Sequence, residues 1–227
     1  MKTLLITASP HRGRSTTRKI ADAFLRGAGC EDPEVIDLYA CDIAPCQGCL
    51  TCWFKTPGEC IQKDDAPKIL KKIDESDLVV WAAPLYFFGL PSELKRLIDR
   101  MLSRLKPPIY DDIMGHATHP GFGEFPCRHV YITSGAFPDV KGNFDAAEFQ
   151  MKRTLGYDTP MIACCEATLF LYKKRDDLLQ YARDYLALTE QAGREFAADG
   201  KISDETLSRL NQPMMERQKY IDLINKK

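Results

Sequence analysis

Thr3-Leu4-Leu5-Ile6-Thr7-Ala8, running directly into Ser9-Pro10-His11-Arg12-Gly13-Arg14-Ser15-Thr16-Thr17, decides the fold of this chain. The first six residues are almost continuously apolar, as a short strand buried on both faces must be, and the rest is a polar, Gly-containing turn. A helical pattern follows from Thr16 to Arg26, with Ile20, Ala23, Phe24 and Gly27 on one face. Buried strand, polar turn and one-sided helix in that order open a parallel βαβ unit.

The same grammar recurs outward from this point. Glu34 to Leu38, Leu78 to Ala83 and His129 to Thr133 are strand-like runs, and Pro160 to Ala167 reads as a fifth despite its Cys164-Cys165-Glu166 centre. Asp65 before Ala66-Pro67 places a carboxylate at a helix cap and proline in its first turn. From Ser92, the residues Leu94, Leu97, Ile98, Met101 and Leu102 form the apolar stripe of another helix. Strands alternating with such helices predict an α/β fold, a doubly wound five-stranded parallel sheet with right-handed crossovers. Two segments depart from the alternation. Lys106 to Arg128 is long and rich in Pro and Gly, as lids, binding loops and oligomer contacts are. From about Leu171 the chain is charged and helical, with a stop at Gly200 and a restart at Ser203-Asp204-Glu205. The expected division is a sheet domain over 1–170 and a helical C-terminal extension over 171–227, packed on the same domain.

With 227 residues, 44% of them hydrophobic, the chain can bury one core without disulfides or metals. Lys and Arg number 31 and Asp and Glu 32, a net charge of −1, so no global positive field attracts nucleic acid or an anionic membrane. No apolar run reaches the roughly 18 residues of a spanning helix, and Met1-Lys2-Thr3 leads into a strand rather than a signal peptide. A cytoplasmic location is expected.

In a doubly wound sheet, ligands bind beyond the carboxyl ends of the strands where strand order reverses, which singles out the loops after strands one, three and four. The first loop brings hydroxyls and backbone N–H groups to a helix start, a cradle for an anion such as phosphate. The competing reading is that Ser15 simply caps the helix. The loop lacks the Gly-Lys-Ser/Thr of a nucleotide triphosphatase and the Gly-x-Gly-x-x-Gly of a dinucleotide fold, and it holds no thiol for a cysteine phosphatase. Strand three is followed by Pro84-Leu85-Tyr86-Phe87-Phe88-Gly89, three aromatics where a soluble turn is usually polar. Either they fold under the long excursion as core, or they wait for a flat heteroaromatic ring.

Taken together, the Ser9-Pro10 loop, Cys46-Gln47-Gly48-Cys49-Leu50-Thr51-Cys52 with Gly58-Glu59-Cys60 and Lys63-Asp64-Asp65, and Ala83-Pro84-Leu85-Tyr86 leading to Leu94-Lys95-Arg96-Leu97-Ile98-Asp99-Arg100 resemble one family. It is that of the flavodoxin-like NAD(P)H-dependent flavin mononucleotide (FMN) reductases, and within it the iron-sulfur flavoproteins. The resemblance covers roughly residues 1–135. It implies strand order 2-1-3-4-5, non-covalent FMN, NAD(P)H as co-substrate, and a homodimer or homotetramer in which a neighbouring subunit often completes the site. Residue by residue, Ser9, His11, Ser15, Thr16 and Thr17 fall on the phosphate loop, although the family commonly carries Arg where His11 stands. Pro84, Leu85, Tyr86, Phe87 and Phe88 fall along the isoalloxazine edge, and Thr133, Ser134 and Gly135 on the third flavin-facing loop.

Nine cysteines is many, and Cys46, Cys49, Cys52 and Cys60 lie within fifteen residues. Their C-x2-C-x2-C-x7-C spacing resembles the ligand set of a [4Fe-4S] cluster in iron-sulfur flavoproteins. An empty, packed cysteine loop with Trp53-Phe54 in its core is the rival reading, and zinc is a poorer fit because three thiols in seven residues crowd a tetrahedron. Cys30, Cys41, Cys127, Cys164 and Cys165 read as buried thiols. The function implied is an oxidoreductase that takes hydride from NAD(P)H through FMN and passes electrons to a quinone, flavin or other small-molecule acceptor. No acid-base residue is assigned, because the cofactor carries the chemistry; His116 and His119 read as solvated loop histidines. The alternatives are a flavodoxin-type electron carrier, which a net charge of −1 disfavours, and a sensor built on the cysteine loop.

Overall fold

The computed structural model describes residues 1–30, 32–123 and 127–226. In chain order the elements are β1 (Thr3–Thr7), α1 (Thr16–Gly27), β2 (Glu34–Asp37), α2 (Thr51–Phe54), α3 (Ala66–Asp74), β3 (Leu78–Pro84), α4 (Ser92–Arg100), β4 (Tyr110–Asp111), β5 (Ala117–Thr118), β6 (Arg128–Ser134), α5 (Asp145–Leu155), β7 (Met161–Cys164), α6 (Asp176–Asp199), α7 (Asp204–Leu210) and α8 (Arg217–Asn225).

Five of the strands form one parallel sheet in the order β2-β1-β3-β6-β7, which is 2-1-3-4-5 when only its own strands are counted. Leu5 sits beside Val35 on one side and Val80 on the other, and Val80 beside Val130. Each apolar run divides its side chains between two faces, as the two-residue period requires. Leu4, Ile6, Val79, Trp81 and Tyr131 pack with α3, α4 and α5. Leu5, Val80, Ala82, Val130, Ile132 and Ile162 pack with α1 and α6. With helices on both faces, the sheet is doubly wound and the expected fold class is realised.

The closest helix contact is between α1 and α6. A Cβ on Gly27 would lie 2.0 Å from the Glu190 carbonyl oxygen, and one on Gly193 would lie 2.1 Å from that of Phe24. Each glycine therefore sits against the backbone of the opposite helix, and only hydrogen fits at either position. Phe24 and Phe196 meet edge to face beside them, 5.7 Å apart. Beyond α6, α7 brings Asn211 to the edge strand: its Oδ1 accepts from the Ala163 amide at 2.7 Å and its Nδ2 donates to the Met161 carbonyl at 3.0 Å. A single side chain thus satisfies backbone groups that an open sheet edge leaves unpaired.

The long excursion folds into the small antiparallel hairpin β4–β5; its residues Glu124, Phe125 and Pro126 lie outside the described residues. Arg153 of α5 donates to the Asp112 carboxylate at 2.6 Å and to the Ala117 carbonyl at 2.7 Å, which ties the hairpin down. Two elements differ from the sequence reading. β7 ends at Cys164 rather than continuing to Ala167, because Glu166 takes a left-handed conformation (φ 55°) and turns the chain out of the sheet. At α3, Asp65 is the N-cap residue with Pro67 in the first turn as expected, but its carboxylate makes no capping bond: it accepts from the Asp42 amide at 2.8 Å, while Asp64 accepts from the Ala66 amide at 3.0 Å. Among the described residues no helix is long and apolar enough to cross a membrane.

Candidate cofactor site at the carboxyl rim of the sheet

The sheet reverses its strand order at β1, and the loops beyond the carboxyl ends of β1, β3 and β6 meet there around a cavity of about 700 Å³. Two hydrogen bonds lock the loops to one another, and a third holds the last loop to β7. Thr17 Oγ1 and Ser134 Oγ are hydrogen-bonded at 2.6 Å, the Leu85 amide donates to the Ser134 carbonyl at 2.9 Å, and the Gly135 amide donates to the Cys164 carbonyl at 2.9 Å. The first loop turns through a short 3-10 segment over Arg12–Arg14 before α1 begins. Ser15 is the N-cap, with Oγ accepting from the Arg18 amide at 3.4 Å, so the capping role is real. Ser15 also lines the cavity with Thr16 and Thr17, the first two residues of α1, whose amides have no partner four residues back within the helix.

Ser9, His11, Ser15, Thr16 and Thr17 all line the cavity, as do Pro84, Leu85, Tyr86, Ser134 and Gly135. Arg14, an arginine of the first loop, adds its charge to the wall, and Lys19 and Lys173, which the sequence did not single out, add two more cations; among the described lining residues there is no carboxylate, which makes the cavity a place for an anion. Ala136, Ala167, Thr168 and Leu171 complete an apolar side. Lys19 lies one turn into α1 and Lys173 lies beyond β7, positions at which spacing alone carries no signal for a lysine.

Three expected residues stand elsewhere. Thr133 is fully buried, because it follows Tyr131 by two along β6 and so points to the same packed face. Phe87 and Phe88 occupy a tight turn closed by reciprocal bonds between Tyr86 and Gly89, at 3.1 and 3.0 Å. Both take left-handed φ, 46° and 65°, a conformation that Asn or Gly normally supplies. The turn carries Phe87 outward, 98% exposed, while Phe88 stacks on Phe137 at 5.1 Å. Tyr86 stays at the rim with its phenol held protonated, burial and the nearby Glu93 both pushing its pKa up.

The cysteine loop forms a second constellation, across the C-terminal end of α4. Cys46, Cys49, Cys52 and Cys60 all border one void of about 20 Å³, together with Arg100. Leu50 and Gly48 take left-handed φ, which folds the segment tightly enough to bring the thiols round it. Burial pushes the Cys52 thiol up, and the other three sulfurs add to the effect. All four are free thiols, and as placed no three His, Cys, Asp or Glu side chains among the described residues are in position to hold a metal ion. The donor chemistry nonetheless suits a thiolate-bound metal group: four residues with soft sulfur donors border one void, and a buried guanidinium borders it with them. Trp53 packs outside the void, 4.9 Å from the His119 ring. His116 is engaged too, its Nδ1 at 2.8 Å from the Tyr157 hydroxyl.

Residues 1–169 match the family described by its flavodoxin-like fold. The chain belongs to the flavodoxin-like family. This flavodoxin-like chain is 37% identical over 105 residues to an iron-sulfur flavoprotein of Archaeoglobus fulgidus, a match covering 45% of this chain and 46% of that protein. The chain thus spans about half the length of that curated relative. It is 29% identical over 174 residues to an FMN-dependent NADH:quinone oxidoreductase of Xanthobacter autotrophicus, covering 69% of this chain and 81% of that one. The solved structure of an FMN-dependent NADH-azoreductase from Bacillus anthracis in complex with FMN superposes with a TM-score of 0.61 at 20% identity, over 87% of this chain and 100% of that chain. At that identity the superposition shows the shared fold. Within the flavodoxin-like fold, the cavity at the carboxyl rim lies at the topological switch point.

Proposed function

We propose that this chain is an FMN-dependent oxidoreductase that takes hydride from NAD(P)H and passes electrons to a small acceptor such as a quinone or flavin. The observation that carries the reading is the convergence of three loops on one cavity of about 700 Å³ with a cationic, hydroxyl-lined end and an apolar end. That volume is within the range of ligand sites, roughly 300–1,000 Å³. A phosphorylated flat ring has the same polarity, an anion at one end and an aromatic system at the other. The relatives support the same chemistry, being named FMN-dependent NADH:quinone oxidoreductase and iron-sulfur flavoprotein.

FMN bound there would accept hydride from reduced nicotinamide and return the electrons to the acceptor. The chain's own residues bind and orient. Ser9, Ser15 and Thr16, which line the cavity with the start of α1, would hold the phosphate, and Arg14, Lys19 and Lys173 would balance its charge. Thr17 and Ser134 brace the first loop against the third, so the cradle is formed before it is filled. Leu85, Tyr86 and Gly135 border the ring, and a side chain at Gly135 would collide with Phe144 at 2.9 Å. No acid-base side chain is required. Cys46, Cys49, Cys52 and Cys60 are the residues that would hold a [4Fe-4S] cluster, which would supply a one-electron store to a protein with a two-electron cofactor.

The proposal extends to a homodimer or homotetramer in the cytoplasm, with residues 171–227 packed as a helical extension on the domain of residues 1–170. Ile109, Tyr110, Ile113 and Met114 of the hairpin and Phe149 of α5 are exposed apolar groups that support self-association. Titration of FMN fluorescence against the purified chain tests the site. Quenching with saturable binding is expected, weakened several-fold in Ser15→Ala; a chain that leaves FMN fluorescence unchanged refutes it. Steady-state oxidation of NAD(P)H with a quinone present then separates an enzyme from an electron carrier.

A further inference from the structure

The guanidinium of Arg100 is the most deeply buried charge at the neck of the cysteine loop, its side chain 0% exposed. It ties the two arms of the loop together. Nη1 donates to the Ala44 carbonyl at 3.0 Å, on the arm that leads to Cys46. Nη2 donates to the Asp64 carboxylate at 3.1 Å and lies at 3.5 Å from the Gln62 carbonyl, on the arm that leaves Cys60. Asp64 Oδ2 also accepts from the Ala44 amide at 3.0 Å, so carboxylate and guanidinium clasp the same neck. One donor is left over. Nε–H is buried and has no hydrogen-bond partner, yet Arg100 borders the void that the four thiols line, and Cys60 faces its guanidinium. Leaving such a donor unpaired is unfavourable unless something accepts from it.

We infer that Arg100 is a positioning residue for a metal group on these sulfurs: its Nε–H donates to a metal-bound thiolate or cluster sulfur, while Asp64 fixes the guanidinium in place. This rests on the proposed role of Cys46, Cys49, Cys52 and Cys60 as ligands. Thiolate-bound metal groups are anionic, and a charge-assisted donor in a dry site stabilises the more negative, reduced form. Arg100 therefore strengthens metal binding and raises the reduction potential of a cluster held there.

Cobalt(II) is the probe, titrated anaerobically into the reduced, FMN-loaded full chain and followed by the sulfur-to-cobalt charge-transfer band. Arg100→Lys keeps a cation but has no Nε–H. The double variant Arg100→Met/Asp64→Asn removes the pair without stranding a buried charge. FMN quenching and circular dichroism report folding independently of the thiols. The expected result is cobalt binding about tenfold or more weaker in both variants, the size of one charge-assisted hydrogen bond. After iron-sulfur reconstitution, a midpoint potential more negative than that of the parent chain is expected in Arg100→Lys. Folded variants that bind cobalt as the parent does overturn the role of Arg100 and leave the four-thiol site standing. A parent chain that takes up no cobalt overturns both, without touching the flavin reading.

Discussion

Replacing Glu166 by Gln should make the chain more stable at pH 8 and change little at pH 5. Glu166 is 0% exposed, just past β7. Its Oε2 accepts from the Met214 and Met215 amides at 2.6 and 3.0 Å, while Oε1 has no partner. Burial pushes the carboxyl up from 4.5 to about 7; Asp139 adds to the shift and the two amides oppose it. A raised acid binds its proton more tightly in the folded chain than in the unfolded one. The stability it contributes is therefore complete below pH 4.5 and is lost as pH rises through about 7. Across that interval, at roughly 1.4 kcal/mol per pH unit, the loss is about 3 kcal/mol. Gln keeps an acceptor for the two amides and never ionises, so it escapes the loss. Urea midpoints of the two chains measured from pH 5 to pH 8 give the comparison directly. The gap should open with rising pH and approach that figure at pH 8. A gap that stays flat across the series would refute titration of Glu166 in this window. Local consequences should appear as well, because the Glu166 charge acts on Tyr220 of α8, which donates to the Ala136 carbonyl at 2.7 Å and accepts from the Thr168 hydroxyl at 2.6 Å, both at the cavity wall.

Gly193→Ala should destabilise the chain by about 1–3 kcal/mol or more, since the new methyl meets the backbone of α1 and not a movable side chain; a urea midpoint equal to that of the parent chain would show that the helices can separate without loss. Phe87→Asn should raise the melting temperature, relieving left-handed strain of order 1 kcal/mol at an exposed site, and calorimetry on the flavin-free chain checks it. Asn211→Ala should lower stability by about 1–3 kcal/mol through two lost bonds to the edge of β7. Faster hydrogen exchange at the Ala163 amide is the accompanying signature, and unchanged exchange there would speak against the edge-covering role.

The strands could be read from the sequence because each is a short apolar run that is buried on both faces, a pattern that tolerates few alternatives. β1, β3 and β6 stand within a residue of the expected runs. α5 could not be read in the same way: Ala147 and Met151 are its buried positions and Phe149 is exposed, so its stripe is thin. The end of β7 depended on the left-handed backbone at Glu166, which no local pattern announces. At the site, the hydroxyls of the first loop were legible because helix starts and anion cradles use the same residue types. Lys173 was not, since only the three-dimensional return of the chain after β7 brings it to the cavity. Phe87 and Phe88 were assigned by their chemistry, and their turn geometry places Phe87 in solvent instead.

The glycine contact between α1 and α6 has a consequence for biosynthesis. Arg26 and Glu190, which pair beside it at 2.7 Å, are 164 positions apart in the chain. The helix that begins at the anion cradle therefore has its outer flank bare until α6 has been made. A nascent chain halted before α6 would expose Phe24 and Ile20 to water and leave the cradle without its backing. The cradle should thus gain its backing late and all at once, when α6 settles into place.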